Sequence, residues 1–171
     1  MAYTLSGIKT FIGREGHGFN ATLKRDGKAV AFARDDASGG SMWIDWKDGH
    51  RDSKEAYAFE VFARMEYDAN GGRERHVKSL QDFGIEDETI TEQSDADVAE
   101  DWINRAIDLH ATEKRLKRLA KTQTLFRLKG DSESVWRTIP KHAYSQAIVD
   151  HLTKKHGDLL ETIFNPAEVK L

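Results

Sequence analysis

The chain has no cysteine. Disulfides, thiolate metal sites and cysteine nucleophiles are excluded, and a reducing cytoplasm is compatible. Proline is almost as scarce: only Pro140 and Pro166 occur, so Pro-rich linkers are excluded. No apolar run approaches the roughly 20 residues of a membrane-spanning helix. The opening stretch, MAYTLSGIKTFIG, has neither the basic start nor the apolar middle of a signal peptide. Net charge is only −3, so no global basic field draws the protein onto nucleic acid. The seven histidines show no H-x-E, H-E-x-x-H or H-x-H spacing, and neither a metal site nor a cofactor is expected.

What is present suits a modest core under a charged surface: 39% of the 171 residues are hydrophobic and 32% charged. The organising stretch runs from Ser94 to Lys121 and reads as one long helix. Ser94 or Asp95 can cap its start. Asp95, Asp97, Glu100 and Asp101 crowd the first turns, and Lys114, Arg115, Lys117, Arg118 and Lys121 the last, as the helix dipole favours. Val98, Trp102, Ala106, Leu109, Leu116 and Leu119 recur at helical spacing and are expected to form its apolar stripe. Arg105 and Thr112 interrupt that stripe, so it suits burial against a second copy, as a homodimer, as well as against a monomer core.

The N-terminal third reads as strands. YTLSGIKTFI (3–12), FNATLKR (19–25), KAVAFAR (28–34) and SMWIDW (41–46) alternate apolar and polar residues. Asp26-Gly27 between two such runs is a hairpin signal, because both residues tolerate the positive φ of a type I′ turn. Phe19, Ala21 and Leu23 should share one face, and so should Met42, Ile44 and Trp46. Trp43 then points outward as a candidate interface anchor, unless the following helix covers it. That helix is expected over Ser53–Met65, capped by Ser53, with Ala56, Phe59 or Glu60, Phe62 and Ala63 inward and Tyr57 and Val61 flanking. Gly13-Arg14-Glu15-Gly16-His17-Gly18 looks superficially like a phosphate loop, but it joins two strands and no Walker lysine follows, so a turn is expected. Val77, Leu80 and Phe83 suit either a short helical turn or a strand.

Beyond the long helix, QTLFRL (123–128) and VWRTI (135–139) should pair as a hairpin, ended by Pro140. A helix is expected from Ser145, as cap, to His156, with Gly157 as its stop. A short strand should follow over 159–164, and residues 166–171 should fray. The expected fold is α+β: an N-terminal antiparallel β-meander with one helix, a long central helix, and a C-terminal β-hairpin plus helix. It is expected as a single domain with two lobes, 1–72 and 94–171, joined by an acidic connector over 73–93.

Several strings resemble a broad family of mostly uncharacterised small proteins of bacteriophages, prophages and plasmids. At the N-terminal end they are Asn20-Ala21-Thr22-Leu23, Asp26-Gly27-Lys28 and the loop Asp35–Gly40. At the C-terminal end they are Thr124–Leu128, Trp136–Ile139, Tyr144-Ser145, Lys155–Asp158 and Ile163–Asn165. The first loop departs from the family's frequent Asn-Asp-Gly and Gly-Gly-Cys, having Asp35-Asp36-Ala37 and Gly39-Gly40-Ser41 instead. The resemblance implies a mobile-element accessory protein of the anti-defence kind, and it carries over no catalytic residue.

Two charged surfaces stand out. No Lys or Arg occurs from Ser79 to Asn104, and Glu86, Asp87, Glu88, Glu92, Asp95 and Asp97 form a candidate acidic partner-binding face. Closely spaced carboxylates can replace phosphate in a basic groove. From Lys114 to Lys129 there is no acid, and Lys114, Arg115, Lys117, Arg118 and Lys121 form a candidate basic face for a partner or for nucleic acid. The leading expectation is a non-enzymatic phage or mobile-element protein, in the cytoplasm of a host bacterium. It would bind and inhibit a defence complex, for example a CRISPR-type one, or another nucleic-acid-processing complex. The alternative is a nucleic-acid-binding accessory protein using the basic end of the long helix. A second alternative, a small metal-dependent hydrolase, would need His17, His50, Asp35 and Asp36 within about 10 Å of one another.

Overall fold

The computed structural model describes residues 2–50, 53–85, 91–132 and 134–168. The chain is α+β and divides into two compact units, residues 1–108 and 109–171. Each has its own sheet.

In the first unit, β1 (Tyr3–Gly13), β2 (Gly16–Arg25), β3 (Lys28–Asp35) and β4 (Trp43–Trp46) form an antiparallel sheet in the order β1-β2-β3-β4. The β2–β3 turn is Asp26-Gly27, with φ of 47° and 81°, as that dipeptide requires. The Gly-rich stretch at 13–18 is a hairpin turn through Arg14-Glu15, as expected. Gly18 is needed there for space, since the Phe11 ring lies where its Cβ would stand, 2.5 Å away. Phe19, Ala21 and Leu23 of β2 and Ala31 and Ala33 of β3 are all buried. They share a core with Phe59, Ala63 and Tyr67 of α1 (Lys54–Ala69) and with Val98, Ala99, Ile103 and Ile107 of the long helix α3 (Asp95–Ala120). Alanines on the covered face let aromatic side chains approach the sheet closely. Phe59, fully buried, has Tyr3, Trp46, Phe62 and Trp102 around it at ring-centroid distances of 5.0–6.5 Å.

Several expectations are corrected here. Residues 73–93 are not simply an acidic connector, because α2 (Gly72–Asp82) is an eleven-residue helix within them. Of the two alternatives for Val77, Leu80 and Phe83 the helical one holds, but its polar composition hid its length, with Val77 and Leu80 its only large apolar residues. Of the expected stripe of α3 in this unit, Val98 is buried and Trp102 packs on the core, but the buried surface extends one position on through Ala99, Ile103 and Ile107, and Leu109 is 61% exposed. Ser53 caps α1 as expected, its Oγ accepting from the Ala56 N–H at 3.1 Å. Ser94 and Asp97 form a reciprocal capping box at the start of α3: the Asp97 N–H donates to Ser94 Oγ, and the Ser94 N–H donates to Asp97 Oδ2, as does the Ser94 hydroxyl. A second pin joins three elements at the start of α1. Tyr3 Oη donates to Glu55 Oε1 at 2.7 Å, and Arg25 donates to Glu55 Oε2 at 2.8 Å. Burial, then the Glu55 carboxylate, pushes the Tyr3 phenol well above its usual range.

In the second unit, β5 (Thr124–Leu128) is the middle strand between β6 (Arg137–Ile139) and β7 (Leu160–Ile163), all antiparallel. The expected hairpin is β5–β6, and the short terminal strand is β7. Leu116, Ala120, Leu125 and Phe164 form the core, with Trp136 edge-on to Phe164 at 5.6 Å. Helix α4 (Gln146–His156) buries Leu152, and its Ser145 side chain makes no capping bond. Thr124, fully buried, donates to the His142 carbonyl at 2.9 Å, which satisfies its hydroxyl. Asp131 closes the β5–β6 loop: it accepts two bonds from Arg137, both at 2.8 Å, and one from the Leu128 N–H. The Arg137 guanidinium, with that N–H, holds the Asp131 carboxyl down at about 2. The expected fraying of 166–171 lies outside the described residues from 169 on.

Phe59→Ala should cost the first unit about 3–5 kcal/mol, because a buried aromatic is replaced by a cavity. Urea unfolding followed by hydrogen exchange at β2 and β3 amides measures it. A loss under about 1 kcal/mol would mean that the ring is not central to the core. Asp131 titrates at about 2 when folded, against 3.8 ordinarily, so its contribution to stability is present above about pH 4 and fades as pH falls toward 2. Asp131→Asn should therefore destabilise the second unit at pH 7, and the difference from the parent should shrink between pH 5 and 2. Unfolding midpoints from Trp136 fluorescence, with the other tryptophans replaced, read this directly.

Candidate functional sites

Charge divides with the two units. Residues 1–108 carry 14 Lys and Arg against 22 acids, a net −8. Residues 109–171 carry 12 against 7, a net +5. The near-neutral chain is thus made of an acidic and a basic body, each charged enough to select partners.

The basic face is the plainer of the two. Lys114, Arg115, Lys117 and Arg118 come from the last turns of α3, on the side opposite the buried Leu116 and Ala120, and Lys121 follows the helix directly. The helix places its four within an arc of about 160°. None of them makes an ion pair among the described residues, and all but the half-buried Lys117 are exposed. Helical periodicity requires this grouping once Leu116 and Ala120 face the core.

The acidic candidates are differently placed. Glu86, Asp87 and Glu88 lie outside the described residues. Glu92 and Asp95 face Arg64 of α1, which donates from Nε to Asp95 Oδ1 at 2.7 Å and stands 3.8 Å from Glu92. Arg64 also donates to the Gln93 carbonyl at 2.6 Å, and its guanidinium lies over the Tyr67 ring at 5.5 Å. The Asp95 carboxylate raises the Arg64 pKa further above its ordinary value. Asp97 is engaged in the cap of α3. Much of this acidic row therefore has work inside the fold, anchoring the start of α3. Beside it, Tyr67, Arg73, His76 and Glu92 line a cavity of about 240 Å³.

Trp43 is turned outward, 61% exposed, with the Arg34 guanidinium 5.3 Å from its ring. The alternative in which α1 covers it does not hold. The hydrolase candidates do not converge. Phe19 pairs with Asp35, which sets His17, Asp35 and Asp36 at one end of the sheet. Trp46 pairs with Ala31 and the chain runs on to His50 at the other end. Ala31 and Asp35 are four strand positions apart, about 13 Å. Asp35 and Asp36 bond the backbone N–H groups of Ala37 and Ser38, shaping their own loop, and Ser38 lowers the Asp36 pKa. Among the described residues no group of three His, Asp or Glu could hold a metal ion. No helix among them is long and apolar enough to cross a membrane.

The residues that sequence reading missed are Ala96 and Ala99 of α3, which stand with Glu60 of α1 and Glu100 of α3. With Met42, Ile44, Asp45, Trp46 and Phe59 they line a groove of about 700 Å³ beside β4. The available signal was the position of β4 as the last strand of the meander, which makes it a sheet edge. No protein-family profile, curated protein or solved structure matches the chain.

Proposed function

We propose that this is a non-enzymatic accessory protein of a phage or other mobile element, which binds and inhibits a host defence or nucleic-acid-processing complex in the bacterial cytoplasm. The observation that carries the reading is the division of charge, −8 in one unit and +5 in the other. A nucleoprotein complex is the class of target that offers both complements: phosphate for the basic face of α3, and basic protein grooves for the acidic unit. The resemblance of the two chain ends to mobile-element proteins supports the same class. A tagged chain should retain a host protein from a defence-carrying bacterial lysate after nuclease treatment. Failure to retain any would count against inhibition of a protein complex.

A second reading is favoured by the five unpaired cations: direct binding of the nucleic-acid backbone. In this case affinity for a labelled 20-nucleotide strand, read by fluorescence anisotropy, falls steeply with salt. Replacing Lys117 and Arg118 by Gln should lower the slope of log K against log salt by about 1.4 to 1.8, which is two phosphate contacts. An unchanged slope would remove the basic face from consideration.

A further inference from the structure

The four-stranded sheet has two faces, and the core uses only one. Ala21, Leu23, Ala31 and Ala33 are buried on that face. The register sets what stands on the other. Ser6, Thr22, Phe32 and Asp45 fall in one row across β1 to β4, and Lys9, Asn20, Arg34 and Trp43 in the next. Phe11 pairs with Gly18 beyond them, and its ring rests over that glycine. Three aromatic residues therefore share the open face, with Phe11 39%, Phe32 41% and Trp43 61% exposed. Phe32 and Trp43 are diagonal neighbours on β3 and β4, about 7–8 Å apart. The rings are spread over the sheet with polar residues between them, rather than merged into the single apolar patch that a hydrophobic partner would cover.

The charge on this face is cationic. Lys9 stands in the row of Trp43, and Lys24 pairs with Thr4 and Ala29 one row beyond Thr22. The Lys47 N–H donates to the Val30 carbonyl at 2.9 Å, so strand pairing continues past Trp46. Alternation then puts Lys47 on the side of Trp43 and Asp45. None of the three lysines makes an ion pair among the described residues. Asp45 is the one carboxylate in the paired rows of this face. It lies 3.6 Å from Arg34 Nε, and the same guanidinium stands over the Trp43 ring. The acid excess of the unit comes from elsewhere. Residues 1–50 hold 7 Lys and Arg against 6 acids, so 16 of the unit's 22 acids follow the sheet in the chain. Charges more than about 8 Å away are screened at physiological salt.

We infer that the open face of the β1–β4 sheet binds single-stranded nucleic acid, with bases stacked on Phe11, Phe32 and Trp43 and phosphates held by Lys9, Lys24 and Lys47. Rings interleaved with cations match a strand in which bases alternate with phosphates. A four-stranded antiparallel sheet that stacks two or three bases on aromatic residues is a recurrent form of single-strand recognition. The Arg34 guanidinium fixes the Trp43 ring and adds a second planar cation beside it. On β2, Asn20 and Thr22 offer an amide and a hydroxyl to base edges. A duplex keeps its base faces in its own stack, and an acidic peptide would satisfy the lysines but bring no planar faces to the rings. This surface lies on the first unit, apart from the basic end of α3, and does not rest on the inhibitor reading.

The test uses the full ¹⁵N-labelled chain and an oligothymidylate of eight nucleotides. The expected result is saturable shifts at the Phe11 and Phe32 amides and at the Trp43 indole N–H, which separates this face from the basic end of α3. An abasic strand of the same length keeps the phosphates and lacks the bases, and it should bind this face at least tenfold more weakly, as should a duplex. Phe32→Thr with Trp43→Thr keeps strand propensity and removes two rings. It should lower the affinity of this face at least tenfold while amides of the covered core hold their positions. Lys117→Gln with Arg118→Gln should leave the shifts at Phe32 and Trp43 unchanged. The inference is overturned if the strand causes no shifts at these rings, or if the abasic strand, the duplex or hexaglutamate shifts them with equal affinity. It is overturned as well if sedimentation shows a dimer that the threonine variant dissolves, because the occupant is then a second copy. Should the threonine variant not fold, the abasic and duplex strands decide the question on the parent chain.

Discussion

Close approach between α1 and the sheet is the constraint on which the first unit depends. Ala21, Ala31 and Ala33 keep the covered face low, and Phe59 fills the space above it. The surrounding rings of Tyr3, Trp46, Phe62 and Trp102 come from four different elements, so this one side chain ties β1, β4, α1 and α3 together. The polar pins lie around that core. Glu55 joins Tyr3 and Arg25 at the start of α1, and Arg64 holds the start of α3. Both use carboxylates near helix N-termini, where the backbone dipole already favours negative charge.

The same packing decides what remains on the surface. With one face of the sheet covered, the alternation of β4 leaves Trp43 and Asp45 on the other. With Leu116 and Ala120 turned to the second core, Lys114, Arg115 and Arg118 of α3 are left exposed. Surface chemistry here follows from core placement through the two periods of secondary structure, 2.0 and 3.6.

Where a single local rule decides the geometry, the sequence is legible. Asp26-Gly27 gave the hairpin, Ser53 and Ser94 gave helix starts, and the alternation in Phe19–Leu23 gave the buried face. The basic face was legible for the same reason. Long-range choices were not. Two adjacent apolar rows run along α3, one through Leu109 and the other through Ile103 and Ile107, and only tertiary packing selects between them. The pairing of Arg64 with Glu92 and Asp95 crosses about thirty residues, and no local pattern announces it. The open face of the sheet needed the register of four strands before its rings and lysines could be seen together.

The course of α3 has a consequence for how the protein unfolds. Its early residues are buried in one core and its last turns in the other, while Asp108, Leu109, Ala111 and Thr112 are exposed and belong to neither. That stretch adds no side chain to either core, and a short helical segment without such packing is only marginally stable. Melting should therefore proceed as two separable transitions, one for each core, and a single unfolding free energy would not describe the chain.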